Sequence, residues 1–296
     1  MLLKNIHILL IRIQALLLLL LFKFASCDQR SSDLELISSY SNGGEEGRLF
    51  EPAQIVERLR TESILKRYAP QPPAVVYDIG GGAGAYAFPL TQQGYSVHLT
   101  DFVPLHIQQA QAKMQETGIQ LAECSVGDAR DIKANDAVAD IVLFFGPLYH
   151  LEEKQDRLKA LHEAYRILKP GGTFFAVAMA RIGVVHLLGN KNKLHDPYFA
   201  SIVETTLKTG KYKAPKAKFF TSAYCHHSDE FEKEIEMAGF KNIQLLNING
   251  QVHSPILLDE ILKNQQALDT WLYFLELIEK DRTAMDTAHI MAIGKK

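Results

Sequence analysis

Cysteine is scarce in this 296-residue chain: Cys27, Cys124 and Cys225 are odd in number, far apart and in no paired spacing. That excludes a disulfide framework and fits a reducing compartment. Charge of one sign is lacking too, since 32 Lys and Arg stand against 34 Asp and Glu for a formal net charge of −2. Without a basic excess, nucleic acid is not expected as the main partner. No repeat of period 20–50 and no low-complexity tract occurs beyond the first 30 residues. Metal-ligand spacing is also missing. The adjacent Cys225, His226 and His227 point to alternate faces of an extended segment and converge poorly on one ion, so no metal is expected.

Long apolar runs are confined to the start, "MLLKNIHILLIRIQALLLLLLFKFASCDQR". Lys4 opens it, Ala15 to Phe22 is leucine-rich, and small Ala25 and Ser26 precede Cys27, as in a secretory signal or, loosely, a lipoprotein processing site. Phe24 stands where an aliphatic residue is usual, and Arg12 and Lys23 bracket the apolar stretch. That stretch is too short for a comfortable transmembrane helix. A cleaved signal, an uncleaved tether and a start assigned too far upstream all stay open.

What the chain does have is ample core material, with 47% apolar and 22% charged residues. "PAQIVERLRTESILKRY" spaces Ile55, Leu59, Ile64 and Leu65 as an amphipathic helix that stops before "APQPP". Strands and helices then alternate. Ala74–Ile79, Tyr95–Leu99, Ile119–Cys124, "ADIVLFF" and "TFFAVAMA" read as strands, with helices between them at Pro104–Thr117 and "EKQDRLKALHEAYRIL". This rhythm means βαβ units and a parallel sheet. It fails from Arg181 to Cys225 and resumes with "EFEKEIEMAG", capped by Ser228 or Asp229 and ended by Gly239. The strands "FKNIQLLNI" and "AHIMAIGKK" follow, separated by a helical insertion over roughly Ile256 to Lys280.

The candidate chemistry sits in "VVYDIGGGAGAYAFPL", a buried strand, a glycine-packed turn and a helix. Gly80, Gly82 and Gly84 let ligand atoms touch the backbone, but the same spacing suits a dinucleotide. Asp101, ending the next strand, meets a ribose in either case. Three further features favour an amino-acid-bearing nucleoside. Asp78 is a carboxylate inside an apolar strand, costly unless answered by a charge such as an α-ammonium. Asp128 in "VGDARDI" is placed for an adenine amino group. "LHEAYRILKPGGTFF" leads through Lys-Pro-Gly-Gly into the fifth strand.

Together these residues resemble the class I S-adenosylmethionine (SAM)-dependent methyltransferases, from about Tyr40 to Lys296. The resemblance implies an α/β, doubly wound, seven-stranded and mostly parallel sheet of Rossmann-like methyltransferase type, its last strand antiparallel beside the fifth, with helical cap insertions. It implies a hydrophobic leader or tether over 1–33, an N-terminal helical lid over 34–70 and a SAM-binding core over 71–180. A cap insertion over 181–227 and the C-terminal part of the core over 228–296 complete the division. Asp78 would engage the SAM amino-acid portion, Gly80, Gly82 and Gly84 would pass beneath it, Asp101 would take the ribose, and Asp128 with Ala129 the adenine. "SNGGEEGRLF", "FFGPLYHL" and "FTSAYCHHSDE" resemble a bacterial subgroup acting on small molecules. Gly-Pro-Leu-Tyr-His departs from the Asn/Asp-Pro-Pro-Tyr/Phe motif of enzymes that methylate DNA or glutamine nitrogen.

Other residues carry two readings each. His150 is a base for the acceptor or a local shaper of the pocket. Tyr149 is undecided in the same way. Arg48, beside Glu45 and Glu46, meets a carboxylate or belongs to a solvated cluster. His226 lines the substrate pocket or lies at the surface. The basic run from Lys208 to Lys218 favours an anionic acceptor or is a solvated face. The expected activity is methyl transfer to a small molecule, with an NAD(P)-dependent oxidoreductase and a membrane-tethered, non-catalytic SAM-binding module as alternatives. The expected location is the cytoplasm, where SAM is made, with or without a tether to the inner membrane face through residues 1–30.

Overall fold

The structure is a computed structural model that describes residues 33–40, 45–51, 54–213, 222–249, 260–282 and 287–296. The leader, with Cys27, lies outside the described residues, as do the end of the basic run and part of the C-terminal insertion. Among the described residues, no helix is long and apolar enough to cross a membrane.

Five parallel strands form the centre: β1 (Val75–Ile79), β2 (Ser96–Asp101), β3 (Glu123–Val126), β4 (Ala139–Phe144) and β5 (Leu168–Ala180), in the order β3-β2-β1-β4-β5. The order reverses direction at β1 and β4, which opens a crevice at their carboxyl ends. Helices cover both faces. On one side α3 (Ile55–Tyr68), α4 (Ala87–Gln92) and α5 (Pro104–Thr117) bring Ile64, Leu65, Phe88 and Ile107 onto Val76, Val97 and Leu99. On the other, α7 (Lys154–Ile167) and α10 (Ser228–Met237) set Leu161, Ala164, Phe231 and Ile235 against Val142, Phe144 and Phe174. The helix ends follow the sequence signals. Pro104 opens α5, and Gly118 closes it in the left-handed conformation at φ 72°.

The last two strands confirm the expected topology. β9 (His289–Lys295) runs antiparallel to β5 over Thr173 to Met179, and β8 (Lys241–Asn247) pairs antiparallel with β9. Two details differ from expectation. The third strand starts at Glu123, because Gly118 turns the chain and residues 119–122 remain outside the ladder. Among the described residues the sheet also has nine strands rather than seven. β6 (Lys211–Lys213) and β7 (Ser222–His226) pair antiparallel, and β7 joins the end of β5 through Met179↔Cys225 and Ala180↔His226. The helices α8 (Arg181–Asn190) and α9 (Pro197–Thr209) precede this ribbon and pack on it through Val184, Leu188 and Ile202.

Lys-Pro-Gly-Gly is a bulge inside β5. Ala139 pairs with Leu168 and Ile141 with Thr173, so Lys169 to Gly172 stand opposite Asp140 alone. The Asp140 carboxylate secures the spot by accepting from Lys169 Nζ and from the Val75 backbone N, each at 2.8 Å. α10 begins at Ser228 with His227 as its cap residue, and no side chain caps it, contrary to the expected Ser228 or Asp229 cap. The helix α11 (Gln265–Ile278), which carries Trp271, is fastened to α3 by Glu279. Its buried carboxylate accepts from Arg60 Nη2 at 2.6 Å and Arg67 Nη1 at 2.7 Å.

Candidate active site

The crevice holds a cavity whose empty space, open mouth included, is about 1310 Å³. Its floor is the glycine turn. Gly80 N and Gly81 N both donate to Thr100 O, at 2.8 and 3.3 Å, which sews the turn to β2. Gly80 is at φ 72°, and a Cβ there would lie 2.8 Å from Pro147 Cδ. Gly81, passed over by the alternating motif, is the tightest of the set. A Cβ would fall 2.4 Å from Asp78 Oδ2 and 2.6 Å from Leu99 Cδ1. Gly84 is not among the lining residues. At φ 84° it packs where a Cβ would meet Phe88 Cε2 at 2.8 Å, so its place is turn-to-helix packing rather than the cavity floor.

Asp78 lines the cavity with 1% of its surface exposed, and neither carboxylate oxygen has a hydrogen-bond partner among the described residues. Burial pushes its carboxyl up to about 7, and the neighbouring Asp101 carboxylate adds to the effect. An unanswered carboxylate against a bare glycine backbone fits an ammonium-bearing ligand. Asp101 is also buried and lining, but it is occupied. Oδ2 accepts from Gly82 N at 2.8 Å, while Oδ1 accepts from Val103 N at 2.8 Å and lies 3.0 Å from His106 Nδ1. Asp128 and Ala129 line the next stretch of wall. Most of the Asp128 carboxylate is spent on Arg130, which reaches it from its backbone N (2.8 Å), Nε (2.9 Å) and Nη2 (2.7 Å). Arg130 also faces Asp33 and Asp156 at 3.4 and 3.3 Å.

Opposite the glycines, the short helix α6 (Pro147–His150) follows β4 and presents Tyr149 and His150. Tyr149 Oη donates to Phe145 O at 2.9 Å, and His150 Nε2 lies 3.1 Å from Tyr40 Oη. Burial lowers the His150 imidazole to about 4, so it is neutral near pH 7. A neutral imidazole in this place can accept a hydrogen bond from an acceptor group or shape the pocket, the two roles expected of it from sequence. Tyr40 ends α1, a helical stretch over 33–39, and its ring meets His106 and His150 edge-on at 5.1 and 5.6 Å. The short helix α2 (Glu45–Arg48) brings Arg48 to the wall, 3.8 Å from Glu57. Sequence reasoning missed Tyr40, Gly81 and His106, because each matters through where a partner's side chain points rather than through a motif.

His226 does not belong to this cavity. It is 1% exposed, its Nε2 lies 3.3 Å from Glu234 Oε2, and burial lowers its pKa. β7 carries it to the carboxyl end of β5, on the side of β5 away from β4 and β1, where it joins a buried network. There Arg157 donates to Glu234 from Nε and Nη2, and Nη1 donates to Leu151 O and Glu152 O, just past His150. Among the described residues, no group of three His, Cys, Asp or Glu side chains could hold a metal.

Residues 77–176, from β1 to the middle of β5, match the family model described as a methyltransferase domain. The chain is a SAM-dependent methyltransferase. The match takes in the glycine turn, Asp101 and Asp128 together, and nothing supports the oxidoreductase alternative. A ubiquinone/menaquinone biosynthesis C-methyltransferase of Caulobacter vibrioides is 26% identical over 208 residues, covering 67% of this chain and 79% of its own. Among solved structures, a SAM-dependent methyltransferase of Methanosarcina mazei superposes with a TM-score of 0.52 at 16% identity, over 79% of this chain and 96% of that one. The phosphoethanolamine N-methyltransferase 2 of Haemonchus contortus, solved with phosphomonomethylethanolamine and S-adenosylhomocysteine, gives 0.52 at 18% identity, over 80% and 52%. SAM is the cofactor, and methyl transfer to a small molecule is the activity.

Proposed function

We propose that the acceptor is a small, flat, hydroxylated aromatic molecule. The observation behind this is the group of rings beyond the glycine turn: Tyr40, Tyr86, Phe145, Tyr149 and His150 all line the cavity. Tyr86 and Phe145 meet edge-on at 5.3 Å, and Tyr149 and His150 are tilted at 4.8 Å, leaving aromatic walls suited to a planar guest. The Caulobacter relative's named pathway makes quinones, whose reduced forms, the hydroquinones, are of this class.

SAM supplies an electrophilic methyl group on an excellent leaving group, and the chain's own residues supply place and dryness. Asp78 holds the ammonium, Gly80 and Gly82 bring bare backbone under the amino-acid portion, and Asp101 reaches the ribose. Asp128, held in place by Arg130, and the Ala129 amide border the adenine. Neutral His150 orients the acceptor hydroxyl as a hydrogen-bond partner. A phenol needs no stronger base, because its ring spreads the developing charge. Arg48, paired with Glu57, borders the acceptor end. The catalytic region, with an N-terminal lid over 34–70 and a cap over 181–227, works where SAM is made, on the cytoplasmic side.

The test is release of S-adenosylhomocysteine from SAM with a panel of hydroquinones, catechols, aliphatic amines and thiols. Turnover is expected with the hydroxylated aromatics. Turnover confined to aliphatic amines or thiols would refute the acceptor class.

A further inference from the structure

Asp101 cannot serve both hydroxyls of a ribose by itself. A carboxylate offers about four lone-pair sites. Three of these are committed to Gly82 N, Val103 N and His106 Nδ1. One site remains for two adjacent hydroxyl groups. His106 is therefore more than a neighbour of Asp101. It sits in the first turn of α5, it lines the cavity, and it is 3% exposed. Its Nδ1 faces a carboxylate, which can only accept, so Nδ1 carries the proton. In the neutral ring that leaves Nε2 as an acceptor. Nε2 is buried and has no hydrogen-bond partner among the described residues. An orphaned acceptor on a cavity wall, held rigidly to the ribose-facing carboxylate, is a binding group without its ligand.

We propose that His106 is the second ribose ligand: Nε2 accepts one ribose hydroxyl while the remaining Asp101 lone pair accepts the other. The Asp101–His106 pair then works as one unit. Asp101 fixes the imidazole tautomer, the imidazole extends the reach of the carboxylate, and the Gly82 amide ties both to the glycine turn. Tyr40, edge-on to His106 at 5.1 Å, forms the outer wall of this subsite. The inference rests on the assignment of Asp101 to the ribose.

Two substitutions separate the roles of the two ring nitrogens. His106→Asn keeps a donor near the Nδ1 position and removes the acceptor at Nε2. His106→Gln keeps a polar atom near the Nε2 position and removes the donor to Asp101. Calorimetric titration of the full chain with S-adenosylhomocysteine and with its 2′-deoxy and 3′-deoxy analogues reads the contact directly, with no acceptor required. His106→Asn is expected to weaken S-adenosylhomocysteine roughly 5- to 20-fold. That penalty should shrink to about twofold or less for the analogue lacking the hydroxyl that Nε2 receives. His106→Gln should retain more affinity for the natural ligand than His106→Asn does.

An equal penalty on all three ligands would overturn the inference, as would no penalty on any. Asp101→Ala probes the assignment beneath it and should show its largest loss relief on the other deoxy analogue. If Asp101→Ala binds all ligands as the wild type does, the ribose assignment fails and the His106 inference fails with it. Wild-type protein that takes up no S-adenosylhomocysteine would instead defeat the cofactor assignment. These failures are distinguishable because each appears in a different protein of the series.

Discussion

Burial without a partner makes Asp78 the most pH-sensitive contact in the cavity. Its folded carboxyl titrates near 7 against an ordinary value of 3.8, so between these values the folded protein binds more protons than the unfolded chain. This group's contribution to stability is therefore present at low pH and lost as pH rises through 7. Ligand binding runs the other way, because an ammonium needs the ionised carboxylate. Affinity for S-adenosylhomocysteine should rise between pH 6 and 7.5, by at most about tenfold per unit, and level off above. In Asp78→Asn the affinity should be low and flat with pH, which calorimetry at three pH values checks. Gly81→Ala should cost about 1–3 kcal/mol of stability by overpacking against Asp78 and Leu99, and abolish ligand binding. Melting with and without S-adenosylhomocysteine would show both losses, the second as a vanished ligand shift. Asp78, Asp101 and Asp128 were legible in the sequence because an acidic residue at an apolar strand end stands out. Gly81 and His106 were not, since their importance depends on where the Asp78 and Asp101 side chains point.

Among the elements, α6 depends on a support behind it. Arg157 and Glu234 are each 1% exposed and paired at 2.8 Å, and Arg157 Nη1 holds the two carbonyls that follow His150. Arg157→Met leaves Glu234 as an uncompensated buried charge and should destabilise the fold by about 3–5 kcal/mol, measured by urea unfolding. The double change Arg157→Met with Glu234→Leu should recover much of that loss, because it removes both charges together. Helices and long strands were readable from the sequence. Pro104 and Gly118 bound α5, and the apolar runs gave β1, β4, β5 and β9. The β6–β7 ribbon was not readable. Lys211–Lys213 is three residues long with one buried side chain, and the two residue pairs by which β7 joins β5 leave no periodic trace. His226 was misplaced for the same reason, since only the ribbon's position decides which wall it faces.

At the scale of the whole molecule, acid should unfold the protein through its histidines. His150, His226 and His289 are each held below the ordinary value of 6.5, mainly by burial. As pH falls through 6.5 the unfolded chain takes up protons first, so the stability these groups confer declines steadily toward pH 4. Asp78 opposes this trend, but with one group against three. Urea midpoints should therefore be lower at pH 5 than at pH 7, and Asp78→Asn, which removes the opposing group, should steepen the decline. α11 belongs to the same scale, because Glu279 fastens the C-terminal insertion to α3 through two arginines. The chain has a single tryptophan, Trp271, and it stands on that helix, not among the residues lining the cavity. Its emission is consequently an optical reporter of the clamp. A fluorescence titration excited at the indole band should stay silent when S-adenosylhomocysteine enters, while Glu279→Gln, with the cavity intact, should change the spectrum as α11 loosens.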